Sequence, residues 1–282
     1  MDRATRRLRV IFVALPVAFM TALLLLPALQ GLALSFNSNG RLSLSNYAAL
    51  GHDPMFWRAL ANNLIVPGAS LALELAVGLA LALFLSARRR PGAVVEIAAI
   101  LPFAIPEIVL LALARFILIP RGYLNGALAL AGIGPLGWLH PGSALALFTV
   151  IVVDAWHVTP VVMLILMAGL ETIPREVYDA ALLDGAGPMA TFRHVTLPLL
   201  TPAIAGALVL RGVDALRIFS TTLVLTGAEG VPVLSTYAYQ MWSDAQRPHL
   251  AMAASAVLAL LITAIGAAAL PLARRFANEA PR

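Results

Sequence analysis

Several apolar runs longer than 18 residues constrain this chain more than any other feature. A bilayer core is about 30 Å thick and gives backbone N–H and C=O groups nothing to bond, so runs of this length read as membrane-crossing helices. They predict spans at about 10–34, 62–87, 94–120, 143–170, 197–226 and 250–273, and hence an all-α integral membrane protein with six transmembrane helices. Mean hydropathy of +0.90 and a charged fraction of only 12% over 282 residues agree, and no separate soluble domain or internal repeat interrupts the pattern. The first run follows the basic stretch MDRATRRLR but is too long for the apolar part of a signal peptide, so it is expected to be an uncleaved span.

Charge sets the orientation. All 19 basic residues are arginine, and the formal net charge is +5. A sequence pI near 10.4 would suggest nucleic acid for a soluble domain; here the arginines cluster at span ends. The N-terminal stretch, the turn Arg88-Arg89-Arg90-Pro91-Gly92, the 171–196 segment and the tail hold twelve, against four in the three opposite loops. That bias predicts both termini and the 171–196 segment on the cytoplasmic side, and no nucleic-acid partner. The missing lysine excludes a P-loop, and the missing cysteine excludes disulfides and thiolate metal sites. If ATP drives this chain, another polypeptide must supply the ATPase.

One polar stretch, 174–202, stands between the fourth and fifth runs. Pro174 suits the first position of a helix, and Glu176 and Asp179 suit its positive end. Asp184-Gly185-Ala186-Gly187 breaks that helix, and Pro188 opens a second, expected to end at Arg193 and His194. A helix–turn–helix with Val177, Leu182, Leu183, Met189 and Phe192 among a charged rim has the composition of a docking element. A solvated helix pair resting on the membrane surface fits the same residues.

The stretch resembles the signature cytoplasmic loop of permease subunits of binding-protein-dependent ABC importers. Asp179-Ala180-Ala181, Gly185, Val195 and Leu197-Pro198 keep the spacing of that family's Glu-Ala-Ala, Gly, Ile and Leu-Pro pattern, with Asp for Glu and Val for Ile. The string DAALLDGAG with the preceding GLETIP is similar to the carbohydrate-uptake branch, and LPFAIPEIV, DAWHVTPVVMLILMAGL and LRGVDALRIFSTTLVLTG extend the likeness over most of the chain. The resemblance implies a single transmembrane domain whose segment 174–195 forms coupling helices seated on a dimeric ATPase. Glu176, Asp179, Ala180, Ala181, Asp184, Gly185, Ala186 and Pro198 would make that contact. It implies a second permease subunit in a heterodimer, two cytoplasmic ABC ATPase subunits holding ATP and Mg, an extracytoplasmic solute-binding protein, and a bacterial cytoplasmic membrane. No cofactor or catalytic residue is then expected in this chain.

Ionisable residues inside the spans form the second constellation. Each costs roughly 2.5–3.5 kcal/mol at a span centre, so each needs a partner or a wet cavity. Arg211, Asp214 and Arg217 recur every third residue on the fifth run, and Asp154 and His157 do so on the fourth, beside Trp156. Pairing that only fixes helix packing, such as Asp214 with Arg217 or Asp154 with an arginine of span five, is one reading. A polar substrate path is the other: Arg, Asp, His and Trp offer the donors, acceptors and aromatic face that sugars need. The resemblance places Arg211, Asp214, Ala215 and Ile218 at or near sugar-contact positions, which implies a permease for a di- or oligosaccharide or a polyol. Arg211→Ala or Asp214→Ala is then expected to abolish uptake and spare assembly. A permease for amino acids, polyamines or iron shares the loop, and an intramembrane enzyme using Asp154, His157 or Asp214 is the rival from another class. Glu74, Glu96, Glu107 and Arg115 read as pairs between spans two and three or as parts of gates, with packing the favoured reading, and Tyr47, Phe56 and Trp57 as interfacial anchors. The histidines have no metal-binding spacing.

Overall fold

A computed structural model describes residues 3–38, 40–86 and 92–278. The arginine turn at 88–90 and the final four residues of the tail lie outside them. Apart from a hairpin of two-residue strands, β1 (Asn37–Ser38) and β2 (Arg41–Leu42), all regular structure among the described residues is helical. Among the described residues five helices are long and apolar enough to cross a membrane, six if one bent pair counts as a single span.

Helix α1 (Arg3–Ser35) runs through Pro16 and Pro27 and packs along α13 (Pro248–Asn278). The short α2 (Ser45–Gly51) leads into α3 (Pro54–Ser86), which begins well before the expected start of span two. Phe56 is therefore a core residue rather than an interfacial anchor. It is 5% exposed and meets Tyr237 edge to face at 5.9 Å. Trp57 stays half exposed, with its indole N–H donated to Gly51 O. Helix α3 packs most extensively against α7 (Ala144–Glu171), where Gly78 lets Val162 approach closely.

Span three is not the continuous helix the sequence suggested. It divides into α4 (Ala93–Ala104) and α5 (Glu107–Leu118), and the segment Glu107–Leu130 is bent by 97° from Val94–Ala104. The cause is local: Ile105 precedes Pro106, whose ring disfavours helical backbone at the residue before it, and both adopt extended ψ. The following loop contains α6 (Tyr123–Leu130). There the buried Asn125 ties the chain together, accepting from Leu136 N and the Trp138 indole and donating to Leu136 O.

The polar stretch folds as α8 (Arg175–Leu183), a turn, and α9 (Pro188–Thr191). The expected end of the second helix at Arg193 and His194 is absent. A π-helical turn, Phe192–Thr196, carries the backbone straight into α10 (Leu197–Ala215), with Leu197 N–H bonded five residues back to Phe192 O. Pro198 explains the wide turn, since it lacks an N–H and its ring would collide with the carbonyl four residues earlier in a normal helix.

Span five also breaks. Helix α10 stops at Ala215 and α11 (Ser220–Gly230) starts after Phe219, whose backbone is non-helical. Neither proline nor glycine lies in between. Helix α12 (Leu234–Ser243) then occupies the expected loop before α13. Its Tyr237 is fully buried and donates to Asp53 Oδ2 at 2.6 Å; burial, reinforced by that carboxylate, pushes its phenol well above the usual range.

Apolar packing falls into layers along the bundle. One cluster joins Val66, Val150, Ile218 and Leu225, and a second joins Ala82, Val162, Leu166, Leu200 and Ala207. Helices α3 and α7 and the fifth span each run from one cluster to the other, and each carries a charged residue in between. That intervening layer is the site.

Candidate functional site: a polar cavity where two broken spans meet

Arg211 organises the charged layer. Its Nε–H and one Nη2–H hold Glu74 of α3 at 2.9 and 3.0 Å, the other Nη2–H reaches Asp154 of α7 at 3.0 Å, and Nη1 donates to Asp214 at 3.1 Å. Four of its five N–H groups are thereby used. Glu74 is fully buried and Arg211 and Asp154 nearly so, whereas the Asp214 side chain is 68% exposed. Thr221 of α11 donates to the other oxygen of Asp154 at 3.3 Å. One guanidinium thus joins α3 and α7 to its own helix, and Asp154 extends the network to α11. In an interior where a lone charge is expensive, the geometry is multidentate, which is what lets such a group persist.

The expected partners differ in two places. Asp214 pairs with Arg211 rather than with Arg217, because Arg217 lies past the end of α10 and no longer shares its helical face. Glu74 pairs across to span five rather than to span three, and Arg115 instead donates to the Val224 carbonyl of α11 at 2.9 Å.

Beside the charged layer lies a cavity of about 540 Å³. Asp154, His157, Arg211, Asp214, Ala215, Arg217 and Ile218 all line it. Trp156 does not: it points to the opposite side of α7, into an apolar groove with Phe84, Pro102 and Pro160. Sequence reasoning also passed over Phe103, Phe219, Ser220 and Thr221, and gave Glu107 no place in the cavity. These five share a location rather than a motif. They stand at the α4–α5 and α10–α11 breaks, and both breaks open on the same space. The first was legible in Ile105-Pro106; the second carried no local signal.

The second break is held from outside. Asn63 of α3, with no exposed surface, donates to Leu216 O at 3.1 Å and accepts from Leu234 N at 3.1 Å. Ser235 of α12 donates to Ile218 O. Carbonyls that a continuous helix would have satisfied are satisfied here by side chains of other elements. Irregular backbone at membrane depth persists where it lines a cavity and is braced by protein in this way.

The α8–α9 turn forms a separate feature. Gly185 has φ of +77°, its N–H bonds to Leu182 O at 3.0 Å, and Ala186 N–H bonds to Ala181 O at 2.9 Å. This is a Schellman closure, which requires the left-handed residue that glycine supplies. Ala181 is buried beneath it; Ala186 is half buried; Glu176, Asp179, Ala180, Asp184 and Pro198 are exposed. Leu182, Leu183 and Met189 are also exposed, Leu183 at 90%. Among the described residues, no group of His, Asp or Glu is arranged to hold a metal ion.

Residues 74–277 match the family described as binding-protein-dependent transport system inner membrane component. The trehalose/maltose transport system permease protein of Thermococcus litoralis is 36% identical over 187 residues, 66% of this chain and 63% of that protein, so the aligned part leaves over a third of that relative uncovered. The trehalose transport system permease protein of Mycobacterium tuberculosis is 33% identical over 233 residues, 79% of this chain and 74% of that protein. A chain from a bacterial ABC transporter involved in the import of the acidic polysaccharide alginate superimposes with a TM-score of 0.80 at 23% identity, covering 97% of this chain and 99% of that one. The matched residues run from the buried Glu74 through both breaks and the Gly185 turn, and the chain belongs to the family of inner membrane components of binding-protein-dependent transport systems.

Proposed function

We propose that this chain is the membrane-spanning permease subunit of an ATP-driven sugar importer. The observation that carries the reading is the polar cavity at the two helix breaks, in a chain whose relatives include trehalose and maltose permeases. It combines aromatic faces, hydroxyls, an imidazole and charged groups, the mixture that orients a polyhydroxylated ring. The cavity is about 540 Å³, room for a solute of one or two sugar rings.

In this proposal the 174–195 segment faces the cytoplasm and docks on a separate ATPase pair, which binds ATP and Mg. The arginine bias supports that side, and the exposed Leu182, Leu183 and Met189 inside an acidic rim support docking. A second permease chain completes the pathway, an extracytoplasmic binding protein delivers the solute, and this chain performs no covalent chemistry. Alternating access then arises when the α8–α9 end is displaced and the helices around the cavity tilt with it.

The test is reconstitution in proteoliposomes with the partner permease, the ATPase pair and the binding protein, and uptake of labelled trehalose and maltose. ATP-dependent uptake of either is the expected result, with Asp214→Ala abolishing it and leaving the complex assembled. Uptake restricted to an amino acid, a polyamine or chelated iron would replace the sugar assignment.

A further inference from the structure

The fifth span reads as arginine-rich, yet the cavity it borders has no surplus of positive charge. Arg211 is consumed by Glu74, Asp154 and Asp214. Arg217 is exposed and lines the cavity, and among the described residues it has no ion-pair partner. Against these two cations stand four carboxylates: Asp154, Asp214 and Glu107 on the wall and Glu74 directly behind it. Ionised, they leave the site negative by two.

The placement matters as much as the count. Glu107, at the start of α5, has no hydrogen-bond or ion-pair partner among the described residues, and Asp214 spends only one oxygen on Arg211. Both are exposed to the cavity, so an anion approaching Arg217 meets the unpaired Glu107 carboxylate and the free oxygen of Asp214. Away from bulk water such repulsion is weakly screened, and like-charge juxtaposition is an effective way to reject a wrong partner. Neutral hydroxyls meet no such barrier. They can donate to Glu107 and Asp214 and accept from Arg217 and Ser220.

We propose that this cavity admits uncharged polyhydroxylated solutes and rejects acidic sugars, with Glu107 and Asp214 as the discriminating residues. The inference rests on the transport reading above. It sets this chain apart from proteins of similar fold that serve acidic polysaccharides, since fold likeness carries no charge preference.

The experiment is saturation-transfer-difference NMR on the assembled complex in lipid nanodiscs at neutral pH, using trehalose, maltose and digalacturonate as probes. The neutral disaccharides should bind at least tenfold more tightly than the diacid. A Glu107→Gln, Asp214→Asn double variant should bring the ratio to within about threefold, chiefly by gaining diacid binding. Equal or preferred binding of digalacturonate to the unaltered complex overturns the charge inference while leaving a sugar site in place. An unchanged ratio in the double variant overturns the assignment to these two residues. Absence of binding by all three probes, in a complex that still hydrolyses ATP, removes the sugar site itself and the inference with it.

Discussion

Arg211 Nε lies 2.9 Å from Glu74 Oε2, joining two helices whose residues are 137 apart in sequence. Both side chains are buried, so loss of either strands the other. Arg211→Ala or Glu74→Ala is expected to cost about 3–5 kcal/mol and to appear as lost complex yield and a lowered melting midpoint. A Glu74→Leu, Arg211→Met double variant should recover much of that yield, because apolar replacement of both partners removes the stranded charge. Recovery of fold without recovery of uptake would separate the clamp's two duties. The sequence had grouped Arg211 with Asp214 as residues whose loss spares assembly; their burial divides them, and only the exposed Asp214 keeps that expectation.

Gly185 sits at φ +77° with open space where a Cβ would go. Gly185→Ala is therefore a test of backbone strain alone, with an expected cost of about 1 kcal/mol at the turn. ATP hydrolysis by the complex should persist while the sugar moved per ATP falls, measured by paired phosphate-release and uptake assays. Unchanged stoichiometry would show that the turn's shape is not what the partner reads.

Asn63 braces the break in span five through the Leu216 carbonyl and the Leu234 amide. Asn63→Leu keeps the volume and leaves both groups unsatisfied, at about 1–3 kcal/mol each. The expected signature is a raised KM for uptake, since the break shapes the cavity wall, with Asn63→Gln restoring part of it. An unaltered KM beside a lowered melting midpoint would make the brace purely a matter of stability.

Tyr237 gives a pH dependence. Its folded-state pKa is raised, so the protonated phenol is the form the fold prefers. Its contribution is fully present below the ordinary tyrosine value of about 10 and is lost as pH rises through the folded value. Stability of the complex should fall above about pH 10. Tyr237→Phe should lower stability at neutral pH by about 1 kcal/mol and flatten that alkaline decline, read by thermal melts across pH.

What could be read from sequence followed the locality of the signal. Apolar runs located the spans, Ile105-Pro106 contains the reason for the first break, and Gly185 the reason for the α8–α9 turn. The break after Ala215 was not legible, because its causes, Asn63 and Ser235, are remote in sequence and act through side-chain bonds. Helical spacing correctly gathered Asp154, His157, Arg211 and Asp214 but also recruited Trp156, one residue off the face that matters. Glu74 was assigned to a pair with span three, since nothing local identifies a partner three spans away.

The π-turn at Phe192–Thr196 makes the backbone from Pro188 to Ala215 a single rod rather than two helices with a joint. From Pro188 to Arg211 such a rod rises roughly 35 Å. Pivoting about one end by about 5° would sweep the other by roughly 3 Å over that length, comparable to the hydrogen-bond distances that hold Arg211 to its carboxylates. With no slack between the outer turn and the charged layer, small angular displacement at one end is enough to remake the electrostatic contacts at the other.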